Sequence, residues 1–115
     1  KTIELDGDVG DFVGCRMSSG KIIVKGAAGQ RAGYAMEGGI VVITSDVGGS
    51  LGSYMGGGNI FVYGYPTSSG MAHEMSGGEI HLESASLDLD KVKGLISSEM
   101  KKGKVYLRDK IIAFK

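Results

Sequence analysis

The sequence predicts an all-β protein, a single-stranded parallel β-helix (solenoid) with a C-terminal helix covering one end or side. Three observations carry that prediction. Glycine supplies 21 of the 115 residues against a single proline, about 18 % where about 7 % is usual, and without the every-third-residue spacing of collagen. Nineteen of those glycines fall between Gly7 and Gly78. Within that stretch the chain repeats itself, and each copy carries a short β-branched run at the same place.

The copies align on a methionine: GDVGDFVGCRMSSGKIIVKG (7–26), AAGQRAGYAMEGGIVVITS (27–45), DVGGSLGSYMGGGNIFVYG (46–64) and YPTSSGMAHEMSGGEIHLES (65–84). The anchors Met17, Met36, Met55 and Met75 are 19, 19 and 20 residues apart. Gly10, Gly29 and Gly48 stand seven residues before the anchor, Gly14, Gly33 and Gly52 three before, and Gly20, Gly39, Gly58 and Gly78 three after. The fourth copy departs, with Ser68 and Ala72 in place of two of these glycines. A helical unit with about four glycines would lose roughly 4 kcal/mol relative to alanine before any packing, which removes helical solenoids. Leucine-rich repeats need an LxxLxL pattern, and propeller blades of about 40 residues would make alternate copies alike. What remains is a coil of about 19 residues, stacked on its copies, with glycine at corners that need positive φ.

In order along the chain, Ile3 and Leu5 fit the strand of a preceding unit, so the chain enters mid-pattern. Ile22/Val24, Val41/Ile43, Ile60/Val62 and Ile80/Leu82, five and seven residues past each anchor, are the strands of the four coils. Stacking turns these positions into inward columns, joined by the methionines, by Val13/Ala32/Leu51/Met71 and by Val9/Ala28/Val47. Each buried aliphatic side chain contributes roughly 1.5–3 kcal/mol, but only once coils are stacked. After residue 84 the character changes. Leu89, Val92, Ile96 and Met100 recur at helical spacing over 88–102, with Asp88 or Ser86 as N-cap and Gly103 past the end. Met100, Gly103, Val105 and Leu107 also fit one more coil after an insertion. The β-helix thus spans 1–84, and 85–115 supplies the helix and closing strands of the same domain.

Thirteen Lys and Arg balance thirteen Asp and Glu, so no general attraction to nucleic acid is encoded. The charges segregate, however: residues 32–90 hold seven acids and no Lys or Arg, while 91–115 hold eight bases and two acids. That asymmetry predicts docking of the tail onto its own solenoid or onto a partner. No apolar run approaches the roughly 20 residues of a membrane span. A lone Cys15 and no signal-like segment point to the cytoplasm.

Several motifs resemble chemistry, and the repeat accounts for each. Gly48-Gly49-Ser50-Leu51-Gly52 satisfies G-x-S-x-G, the frame of an esterase nucleophile. The same frame recurs around Phe12 and Arg31, so its glycines belong to the turn; a small esterase using Ser50 with His73 or His81 is the alternative to a structural role. His73-Glu74 opens like a zinc helix, but Gly77 stands where the second histidine belongs. No metal site is expected. Gly14 to Lys21 is one residue too long for a phosphate loop, and Cys15 has no base placed beside it. One column resists a purely structural reading. By parity Ile23, Val42, Phe61 and His81 point outward, and three of them are apolar. Such a stripe is covered by the tail or forms a subunit contact, with another subunit or with a second copy.

The unit Gly10-DFV-Gly14-CR-Met17-SS-Gly20-K-Ile22-I-Val24-K-Gly26 resembles the repeat shared by the glycine-rich repeat subunit of formylmethanofuran dehydrogenase and the C-terminal domain of the glutamate synthase large subunit. The resemblance covers residues 1–84 and implies a right-handed β-helix. The near-regular period and the M-x-G-G-x-I form tilt toward the dehydrogenase subunit. It implies a scaffolding or assembly subunit with no catalytic or cofactor-binding residue in this chain; the tungsten or molybdenum pterin and the iron–sulfur clusters lie in partner subunits. A glutamate synthase-like structural module is the other reading.

Overall fold

The computed structural model describes residues 1–115 and is a parallel β-solenoid of about four turns. Its seven strands are β1 (Thr2–Asp6), β2 (Lys21–Lys25), β3 (Ile40–Ile43), β4 (Asn59–Val62), β5 (Ser76–Leu82), β6 (Lys102–Leu107) and β7 (Lys110–Phe114), with one helix, α1 (Leu89–Leu95), between β5 and β6. They form one sheet in sequence order. β1 to β6 pair in parallel, in the register the repeat predicts: Ile22 beside Val41, Val41 beside Ile60, Ile60 beside Ile80. Alternation along each strand then sends the predicted columns inward. Val24, Val41, Ile43, Ile60, Val62, Ile80 and Leu82 are fully enclosed, and so are Met36, Met55 and Met75.

Each coil has two further sides. A short bridge runs through Ala28, Val47 and Pro66, which adds Pro66 to a column that the sequence extends only to Val47. The other side consists of two overlapping turns. In the second coil the Tyr34 N–H donates to Arg31 O and the Met36 N–H to Gly33 O, both at 3.1 Å. The third residue of each turn, Gly33 and Ala35, has φ of 71° and 54°, as a type II turn requires.

The glycines divide into two kinds. Gly14, Gly33 and Gly52 and the set Gly20, Gly39, Gly58 and Gly78 have positive φ, as expected of corners. Gly29 and Gly48 do not. A Cβ on Gly29 would strike the Asp11 carboxylate, and one on Gly48 would lie 2.9 Å from the Gly29 carbonyl carbon. There, glycine permits the coils to approach rather than bend. Carboxylates stitch coils together beside them: Asp8 accepts from the Ala27 N–H, Asp11 from Gln30 and Asp46 from Tyr65, each at 2.8 Å.

The tail forms the helix but not with the expected bounds. α1 stops at Leu95, and Ile96 is already extended (φ −78°, ψ 131°). The competing demand is pairing with the fourth coil. Met71 N–H donates to Leu95 O, and Ser97 N–H donates to Met71 O at 2.7 Å, so residues past 95 are drawn into a fifth coil. Met100 therefore returns to the methionine column, 4 % exposed, and Gly103 (φ 118°) is a corner glycine, not a helix terminator. Asp88 holds the N-cap position but makes no side-chain cap bond, while Ser86 bonds the Tyr65 hydroxyl. The helix is thus the insertion of the fifth coil. Val105 and Leu107 then pair with Ile80 and Leu82, and β7 turns back antiparallel to β6. Charge plays a small part in this docking: of the tail's bases, only Lys101 forms an ion pair with the acidic solenoid, at 3.4 Å from Glu74.

Candidate functional site

Strand parity and register place Ile23, Val42, Phe61 and His81 side by side on the outward face of β2 to β5. The column continues onto Tyr106 of β6. α1 does not cover it: the helix lies beside Tyr65 and Pro66. The rings instead cover one another. His81 is sandwiched between Phe61 and Tyr106, with centroids 4.4 and 4.6 Å apart and planes within 11° and 6° of parallel. Each residue of the column is half-buried, and 16 % of the His81 side chain remains exposed. Tyr106 escapes the sequence reading because the helical insertion breaks the period; the coil frame set by Met100 and Gly103 locates it.

His81 is oriented as well as stacked. Its Nε2 lies 3.1 Å from Glu79 Oε1 and 3.2 Å from Asn59 Oδ1. Both are acceptors, so Nε2 carries the hydrogen. His73 bonds Ser97 Oγ through Nδ1 at 3.1 Å and ends a second aromatic column, Phe12, Tyr34, Tyr54, His73, with centroid spacings of 5.6, 5.6 and 5.7 Å. Ser53, the residue of the third coil at the place of Tyr34, is only 3 % exposed. The tyrosine one residue on takes the outer position. Arg31 lies 5.6 Å over the Phe12 ring.

The structure does not assemble the alternative hydrolytic site. Ser50 has φ 57°, but the residues at the same place in the other coils are also left-handed, at 67° for Phe12, 58° for Arg31 and 88° for Gly70. That backbone belongs to the turn. Neither imidazole is bonded to Ser50: His73 is held by Ser97 and His81 by Glu79 and Asn59. No group of three or more His, Cys, Asp or Glu side chains converges as a metal site would require, and Cys15 is exposed and free. No helix is long and apolar enough to cross a membrane. Compared with models of protein families, with characterised proteins and with solved structures, the chain has no match.

Proposed function

We propose that this chain is a non-catalytic β-helical scaffold that braces the subunits of a cytoplasmic oxidoreductase complex, as its resemblance to the glycine-rich repeat subunit of formylmethanofuran dehydrogenase implies. In this reading the tungsten or molybdenum pterin and the iron–sulfur clusters are held by partner subunits. The single observation that supports it is the outward column Ile23, Val42, Phe61, His81, extended by Tyr106. A rigid sheet presents it, its central ring is fixed by stacking and by two hydrogen bonds, and the chain's own helix leaves it uncovered. Aromatic residues on a preorganised surface lose little conformational entropy on association, which suits them to anchor an interface.

Affinity capture of the tagged chain from its native source tests the proposal. Wild type is expected to bring down molybdenum- or tungsten-pterin oxidoreductase subunits, and Phe61→Glu to lose them while keeping its β-sheet circular dichroism. Recovery of the wild-type chain alone, or only with copies of itself, would overturn it.

A further inference from the structure

Between α1 and the Tyr65–Pro66 corner of the fourth coil lies a groove of about 540 Å³, within the roughly 300–1,000 Å³ usual for small-molecule sites. Leu87 and Leu95, both half-buried, give it an apolar floor over the buried Pro66 and Val92. Tyr65 forms one wall, its hydroxyl fixed 2.7 Å from Ser86 Oγ. Two features of this groove lack a structural cause. Gly94 stands in the last turn of α1, where glycine is a poorer helix former than alanine. Its φ is not left-handed, and an added Cβ would meet nothing within 4 Å. Neither the backbone nor crowding asks for glycine there, and its missing side chain leaves the groove wider. Asp88, in turn, occupies a position where a carboxylate ordinarily caps the helix, yet it makes no cap bond. It lines the groove instead, with Asp90. Neither carboxylate has an ion-pair partner, and Lys91 is the one cation of the lining.

We infer that this groove binds a small organic cation, an ammonium group carried on a short aromatic or aliphatic body. The body packs on Leu87 and Leu95, the ammonium meets Asp88 and Asp90, and the Tyr65 ring adds a π-face that attracts cations. A ligand of the same shape ending in a carboxylate meets two like charges and is rejected. The groove lies apart from the outward aromatic column, so this inference and the scaffold reading stand or fall separately.

Nuclear magnetic resonance titration of the 115-residue protein with 2-phenylethylammonium tests it, with 3-phenylpropionate as the anionic control. The ammonium is expected to give saturable shifts centred on Tyr65, Leu87, Asp88 and Leu95, and the carboxylate to bind about tenfold more weakly or worse, a factor worth about 1.4 kcal/mol. Asp88→Asn should weaken the ammonium several-fold, and Lys91→Ala should tighten it. Gly94→Leu, a better helix former whose side chain enters the groove, should abolish binding while the shifts of Phe61, His81 and Tyr106 stay in place. Equal binding of the two probes, no saturable shift with the ammonium, or undiminished binding by Gly94→Leu overturns the inference.

Discussion

At the scale of single residues, the turns of each coil place ordinary side chains where glycine is at ease. Ala35 has φ 54° and Tyr54 φ 59°, a backbone that costs an L-residue roughly 1–2 kcal/mol. Replacing alanine by glycine usually destabilises, because glycine gains freedom in the unfolded chain, by about 0.4–1 kcal/mol. At Ala35 the strain outweighs that entropy. Ala35→Gly is therefore expected to leave stability unchanged or to raise it by up to about 1 kcal/mol, whereas Gly57→Ala, whose new methyl would strike Glu37 O, should lower it by about 1–3 kcal/mol as overpacking does. Urea unfolding of the two variants checks the opposite signs. The spacing Gly14, Gly33, Gly52 makes the positive-φ corners legible in the sequence. The close-approach role of Gly29 and Gly57 is not, because it depends on what lies underneath in the preceding coil.

At the scale of elements, the strands are legible in the sequence and the tail only in part. The alternation Glu79-Ile80-His81-Leu82 fixes both register and facing, since a slip by one residue would turn the core column outward. The helix expected over 88–102 forms only in its first half because two patterns compete for Ile96 and Met100. Local spacing favours continuing the helix, while pairing with Met71 and burial in the methionine column favour ending it. Tertiary contact wins, as it commonly does over helix propensity in short segments. Between β1 and β2 an exposed ion pair reports on register directly. Lys25 Nζ lies 2.7 Å from Glu4 Oε1 and 3.8 Å from Asp6 Oδ1. The hydrogen bond and charge of Lys25 hold the Glu4 carboxyl below the usual carboxylate range, and Glu4, then Asp6, raise the Lys25 ammonium above its own. The lowered carboxylate stabilises the fold above the usual range and ceases to as pH falls through its lowered value. The raised lysine does so below its usual range and ceases to as pH rises through its raised value. A carbon-13 titration should find Glu4 ionising at lower pH than an unpaired glutamate, and Lys25→Ala or high salt should return it to the ordinary range, since both groups face solvent.

At the scale of the whole molecule, a solenoid distributes its stability by neighbours: a coil is held by the one beneath and the one above. The methionine column measures this, because the same side chain recurs in successive environments. Met36, Met55 and Met75 are fully enclosed, while Met17, in the first coil, is half-buried and lies among core-column residues that are open to solvent, with Ile3 45 % exposed. Truncation to alanine removes the same atoms at every coil, so differences in cost come from burial and from how far the surroundings can close the cavity. Met36→Ala and Met55→Ala are each expected to cost about 2–5 kcal/mol, and Met17→Ala less than half as much. The gradient follows from stacking, since the same methionine recurs at the same place in each coil and only its burial changes. Equal costs at Met17 and Met55, measured by urea unfolding, would mean that the coils do not support one another as neighbours and that the column is held by something other than the coil above and the coil below.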